Sequence, residues 1–331
     1  MLQRLTVALV LVCVLSASSC EPVTPASPID TRSFEGFTVH SAIPPNPVGI
    51  VYLFHGSGGS ADFALKIETI DQTNALLERG YGWVATESTQ RDGNKRWEVF
   101  DSSLATNPDL ARLTRLHATL MALTDVNPDT PIFGIGMSNG ARMVTLFAQS
   151  FVDAGYPVVA VAPFMGRAAP SVQAAGGLTV PGFWVSSVND STVATQSIVQ
   201  DQEASAALGT ATRLFIKPEE ALLPIRFTRI PAVNSEEAEH IYRALLATGA
   251  WNEDGARILD LETTIERVLQ AGMPATGATP SQVRNQVSAL LALHQFVGLY
   301  RDNLADFFDE QLVLHNAYIL KHARHPRESA P

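Results

Sequence analysis

Pro131-Ile132-Phe133-Gly134-Ile135-Gly136-Met137-Ser138-Asn139-Gly140-Ala141-Arg142 is the stretch on which the fold turns. An apolar run ends in Gly136-Met137-Ser138-Asn139-Gly140, and a helix-compatible run, Ala141 to Val152, follows. The five residues fit G-x-S-x-G, in which a serine sits on a sharp, strained strand-to-helix turn. The flanking positions lie too close to the neighbouring backbone for side chains, which accounts for the glycines. Such a turn lifts Ser138 Oγ above the sheet. It also leaves the Asn139 N–H at a helix N-terminus, where developing negative charge is stabilised. A strand–turn with glycines for packing alone is the competing reading, and the flanking strand and helix patterns weigh against it.

Working outward, Gly49-Ile50-Val51-Tyr52-Leu53-Phe54 is a continuous apolar run rich in β-formers, the pattern of a parallel strand covered on both faces. His55-Gly56-Ser57-Gly58-Gly59-Ser60 follows it directly. A nucleotide loop is excluded: G-x-G-x-x-G would need Gly at position 61, which is Ala, and no Gly-Lys-Ser/Thr is present. The expectation is the second half of an oxyanion hole, with an N–H from Ser57 or Gly58 facing that of Asn139. His55 is read as structural, because it precedes the hole rather than facing the nucleophile.

Further strands are expected at Phe34–His40 (an edge), Tyr81–Glu87, Pro157–Pro163, Gly182–Val188 and Thr212–Lys217. Ser60 caps a helix expected over Ala61–Arg79 and ended by Gly80. Asn107-Pro108 starts another helix, with His117 inside it. Asp190 ends the Gly182–Val188 strand on the rim where ligands bind in open α/β sheets. It is a candidate catalytic carboxylate, with capping of the next helix as its bland alternative and Glu219 or Glu220 in reserve. Trp97, in the polar Ser88–Asp101 loop, is expected to wall the substrate pocket or to pack under the loop. Asn234-Ser235-Glu236-Glu237 and Thr279-Pro280-Ser281-Gln282 read as helix starts. Together they mark a small, mainly helical insertion, about 225–285, that is expected to act as a lid or substrate wall.

The 331 residues suit one large α/β domain with an insertion, and 46% hydrophobic content allows a sizeable core. A net charge of −10 argues against nucleic-acid binding. Residues 1–20 read as an export signal: Arg4, an apolar core Leu5–Leu15 too short to span a bilayer, then small residues. Cleavage after Ala17 and lipidation of Cys20 as in bacterial lipoproteins are both open, so the expected location is secreted or cell-envelope. Both cysteines, Cys13 and Cys20, lie here, which leaves the folded part without a disulfide or thiol nucleophile. Residues 21–32 read as a Pro-rich tether, 33–320 as the domain, and 321–331 as a flexible basic tail.

H-G-S-G-G after the first central strand, G-M-S-N-G at the turn and V-N-D (Val188–Asp190) at a later strand end together resemble an α/β-hydrolase, in its secreted esterase and depolymerase-like branch. The resemblance covers roughly 33–220 and resumes near 290. It implies a mostly parallel sheet with helices on both faces, and a triad ordered nucleophile, acid, histidine: Ser138, Asp190 and a later histidine. His294 precedes the last helix, as the family's histidine does, and His294-Gln295-Phe296 has a recurring form. His240 and His315 are the alternatives. Without the insertion, roughly 40 residues separate Asp190 from His294, near the spacing such folds need. The activity implied is hydrolysis of a small-molecule or polymer ester without metal or organic cofactor. A peptidase or amidase of the same fold, or a non-catalytic cell-envelope binding protein, stands as the alternative.

Overall fold

The computed structural model describes residues 22–124, 126–271 and 278–323. The export signal with Cys20, and residues 324–331 of the expected tail, lie outside the described residues.

The described chain opens with a hairpin of β1 (Asp30–Phe34) and β2 (Phe37–Ala42), antiparallel, with Phe34 opposite Phe37. Glu35 and Gly36 turn it with φ of 51° and 82°, the two left-handed residues of a type I′ turn. The Glu35 carboxylate accepts hydrogen bonds of 2.6 and 2.8 Å from Arg115, which offset part of its backbone strain. The strand thus begins inside residues 21–32, read as a Pro-rich tether. Farther upstream, Ala26 N–H donates to Asn74 Oδ1 and Val23 N–H to the Arg229 carbonyl, at 2.8 and 3.0 Å. Polar residues on an exposed edge show no hydrophobic alternation, so the sequence pattern carried no sign of this strand.

Next come β3 (Ile50–Phe54), a 3-10 turn (Ala61–Leu65), α1 (Ile67–Glu78), β4 (Gly82–Thr86), α2 (Pro108–Thr124) and β5 (Ile132–Met137). The expected single helix over Ala61–Arg79 is therefore two pieces. Ser60 Oγ caps the first, and Lys66 adopts an extended conformation (φ −76°, ψ 143°) between them. The chain continues through α3 (Asn139–Asp153), β6 (Val158–Phe164), α4 (Pro170–Ala174), β7 (Gly182–Ser187), α5 (Thr195–Ala207) and β8 (Thr212–Lys217). After the sheet come α6 (Ile225–Thr228), α7 (Ser235–Leu246), α8 (Leu261–Ala271), α9 (Pro280–Leu290) and α10 (Arg301–Ala323). The last helix runs through residues 321–323 of the expected tail.

Among the described residues the sheet has eight strands in the order β1-β2-β4-β3-β5-β6-β7-β8. It is parallel from β4 to β8, with β2 antiparallel to β4. Each face carries its own core. Leu113 and Leu116 of α2 and Phe147 and Phe151 of α3 pack with Trp184 on one side. Leu76 of α1 and Phe308 of α10 pack with Phe133 and Phe164 on the other. Burial on both faces is the physical reason these strands read as unbroken apolar runs. An antiparallel leading edge, the swapped β4-β3 order and a nucleophile-type turn after β5 define the α/β-hydrolase fold.

The segment after β8 builds a third core from Phe227, Ile241, Leu245, Trp251 and Val287, which includes Ile67 of α1. Both helix starts read from the sequence are capping boxes, Asn234 with Glu237 and Thr279 with Gln282. A buried ionic hub ties this unit to the sheet domain. Glu68 Oε1 accepts from Arg226, Arg229 and Gln286 at 3.1, 2.9 and 3.1 Å, and its Oε2 accepts from the Gly298 N–H at 2.7 Å. Asp71 takes Arg229 at 2.7 Å and also pairs with Arg301. Burial pushes the Glu68 carboxyl up, but the two arginines outweigh it and hold it down at about 2. At Asp71 burial dominates and raises the carboxyl above its ordinary value.

Candidate active site

Strand β5 delivers Ser138 at the N-terminus of α3 with φ 58° and ψ −115°, a region that costs a non-glycine residue about 1–3 kcal/mol. The surrounding glycines are explained by close approach. A Cβ at Gly136 would lie 2.0 Å from the Gly140 carbonyl oxygen, and one at Gly140 would lie 2.2 Å from that of Phe54. Gly166, which the sequence reading did not single out, is the third: its Cβ would lie 2.5 Å from the Ser138 carbonyl oxygen. The Ser138 N–H donates to the Phe164 carbonyl at 2.8 Å, which ties the turn to the end of β6.

Asp190 and His294 are brought together from opposite ends of the insertion. His294 Nδ1 lies 2.7 Å from Asp190 Oδ2. A carboxylate only accepts, so Nδ1 carries the proton and Nε2 is left as the ring's basic edge. Asp190 Oδ1 accepts the N–H groups of Thr192 and Val193 at 2.8 and 2.9 Å, and its side chain is wholly covered. Asp190 therefore shapes its own loop and does not cap α5, which begins after Ala194.

The loop carrying His294 is pinned at three points to the end of β7. Asn189 N–H donates to the Ala292 carbonyl, Asn189 Nδ2 to that of Leu291, and Ser187 Oγ to that of Leu293, at 3.2, 2.8 and 3.0 Å. Phe296 then buries its ring between Phe63 and Phe164. The reserve carboxylates are engaged elsewhere: Glu219 holds Arg257, and Glu220 pairs with Lys217 and Arg226. His240 is exposed on α7. The His315 Nε2 on α10 is buried without a hydrogen-bond partner among the described residues, and burial lowers that histidine's pKa.

Ser138 and His294 line one cavity of about 570 Å³, within the usual size range for small-molecule sites. His55, residues 56–60, Asp62, Lys66, Arg96, Thr192 and Phe296 contribute to its wall. No hydrogen bond joins Ser138 Oγ to another described residue, and such contacts commonly tighten only when substrate binds. Gly56 leaves room beside the serine: a Cβ there would lie 3.4 Å from that of Ser138.

Gly58 N–H is committed to the Asn94 carbonyl at 2.5 Å. Of the two donors considered in that loop, this leaves Ser57. His55 is fully engaged. Its Nδ1–H donates to the Gly56 carbonyl at 2.7 Å, and its Nε2 accepts the Ser88 N–H at 3.1 Å. Burial pushes its pKa down to about 4.

Of the two places expected for Trp97, pocket wall or packing under its loop, the structure shows the packed one. Trp97 is buried, packs edge-on against Phe54, and donates Nε1–H to the His55 carbonyl at 2.9 Å. The Asn139 side chain grips the Trp97 backbone, accepting its N–H at 2.7 Å. None of the described residues of 225–285 lies on this cavity's wall.

No family model matches the chain, and no curated protein matches it. Among solved structures it is similar to Est1E from Butyrivibrio proteoclasticus, at 13% identity, covering 67% of this chain and 100% of that one, with a TM-score of 0.43. It is similar also to a structure of an arylesterase (12% identity, 67% and 86% covered, TM-score 0.45) and to esterase PE8 (17%, 62% and 96%, 0.43).

Proposed function

We propose that this chain is a serine hydrolase of carboxylic esters, with Ser138 as nucleophile, His294 as general base and Asp190 as the carboxylate that orients it. The observation that carries the reading is the 2.7 Å pair of His294 Nδ1 and Asp190 Oδ2, opening on the same cavity as a serine held at φ 58°.

His294 Nε2 takes the proton as Ser138 Oγ bonds to the ester carbonyl carbon. The oxyanion is met by the N–H groups of Ser57 and Asn139. As the intermediate collapses, the bond to the alcohol oxygen breaks and His294 returns the proton to it. A water, deprotonated by the same nitrogen, then releases the acid and restores Ser138. Asp190 is held by two backbone N–H groups that fix its orientation, so it keeps the imidazole in the required tautomer throughout.

The test is covalent labelling by a fluorophosphonate together with turnover of short-chain esters. Wild type labels, while Ser138→Ala and His294→Ala do not. Unlabelled, folded wild type would remove the hydrolase reading. The export segment belongs to the same proposal: the enzyme works outside the cytoplasm, and if Cys20 is its lipid anchor, Cys20→Ser converts a membrane-bound protein into a released one.

A further inference from the structure

We propose that Lys66 and Arg96 form a subsite for a carboxylate carried by the ester substrate, so that the preferred substrate is a small ester of an acid or alcohol bearing a second, ionised acid group. This deepens the hydrolase reading and rests on it.

Both side chains line the cavity that holds Ser138 and His294. Neither makes an ion pair or side-chain hydrogen bond with another described residue, whereas Arg79, Arg115, Arg167, Arg213, Arg226, Arg229 and Arg257 each hold a carboxylate. In a chain of net charge −10, the cavity around Ser138 thus gathers two cations that no carboxylate holds. Asp62, largely exposed on the same wall, accepts from His40 Nε2 at 3.1 Å and Ser60 Oγ at 3.2 Å, and the His40 bond holds it below its ordinary value, so the wall carries two cations against one ionised carboxylate. Asp190 is covered behind His294 and is not part of the wall.

Lys66 supplies no helix cap where it stands. It occupies the N-cap of α1 without a side-chain capping bond, where Ser, Thr, Asp or Asn is preferred and a positive charge opposes the helix dipole. The residue as a whole is exposed, yet surrounding protein withdraws its ammonium from water enough to lower its pKa. A partly desolvated cation of this kind binds an anion more strongly than a fully hydrated one does. Arg96 comes from a different segment, two residues beyond the Asn94 carbonyl that fixes Gly58. The same loop that shapes the expected oxyanion hole therefore presents the second cation. Its guanidinium suits a planar carboxylate, and the Lys66 ammonium acts as a point charge.

The experiment uses the full chain and two esters of nearly equal shape, monomethyl adipate and methyl hexanoate, with release of acid followed by titration at constant pH. The readout is the ratio of their kcat/KM values on one enzyme preparation, in which the active fraction cancels. The expected ratio for wild type is about tenfold or more in favour of the adipate, falling about tenfold in Lys66→Met or Arg96→Met and declining with added salt. Lys66→Glu shifts preference away from the anionic ester altogether. A wild-type ratio near one, or a ratio unmoved by these substitutions, overturns the subsite while leaving the hydrolase intact. Failure of wild type to hydrolyse either ester or to label with fluorophosphonate overturns both.

Discussion

Arg229→Met tests the buried hub directly. Arg229 spans both carboxylates, with Nη1 on Glu68 and Nη2 on Asp71 at 2.9 and 2.7 Å, and only about a tenth of its side chain is exposed. Removing one partner of a buried ion pair typically costs 3–5 kcal/mol. Here Arg226 still faces Glu68 and Arg301 still faces Asp71, so the expected loss is smaller, about 2–3 kcal/mol. Urea denaturation followed by circular dichroism reads this as a lower midpoint, and thermal scans should show a fall of roughly 5–10 °C. The sign on acidification also follows. With one arginine fewer, the Glu68 carboxyl rises from about 2. Stability held above the unfolded carboxylate value is then lost at a higher pH as acid is added. Adding Asp71→Asn to Arg229→Met should restore part of the loss, because it removes a carboxylate that burial disfavours and that keeps only the partly exposed Arg301 as partner. A cost below about 0.5 kcal/mol, or no rescue by the second change, would refute the hub as the tie between insertion and sheet domain.

Other expectations are as direct. Ser57→Pro removes the loop N–H and should lower kcat about 100-fold or more, whereas Ser57→Ala keeps the N–H and should stay near wild type, both read by steady-state ester hydrolysis. Gly166→Ala forces a Cβ to within 2.5 Å of the Ser138 carbonyl oxygen; it should slow fluorophosphonate labelling while the secondary structure measured by circular dichroism persists. His55 titrates near 4 when folded and at its ordinary 6.5 when unfolded. Its contribution is thus full above pH 6.5 and lost as pH falls toward 4, at most about 3 kcal/mol. His55→Gln, which cannot titrate, should flatten the stability profile across that window, and an unchanged slope would count against the assigned neutral ring.

The parallel strands were legible because burial on both faces leaves an unbroken apolar run, as in Ile50–Phe54 and Val158–Phe164. The turn at Ser138 was legible because its glycines are demanded by backbone atoms 2.0 and 2.2 Å from where a Cβ would stand. The first hairpin was not, since Asp30–Phe34 is mostly exposed and its left-handed turn uses Glu35 where Asn or Gly would have signalled it. Trp97 shows another limit. Its sequence neighbourhood is polar, but what decides its place is an indole bond to the His55 carbonyl, a contact across 42 positions. The segment before His294 is the helix α9. Its last turn returns the chain to Asn189 through carbonyls of residues 291–292, and no local pattern announces that docking. Gly166 and the arginines that reach Glu68 are likewise defined by partners far along the chain.

Glu68 grips the insertion with one oxygen and the chain four residues past His294 with the other. The insertion and the histidine loop therefore share one fastening, beside the loop's own three bonds to the end of β7. Local opening of the insertion, a lower-energy event than melting the sheet, would remove that shared support and loosen the loop while Ser138 stays seated on its own strand and helix. On warming, catalysis should then fail before the circular dichroism signal does. The gap between the two temperatures would measure how independently this unit breathes, and proteolytic nicks in the insertion should silence the enzyme while leaving a folded, serine-bearing remnant.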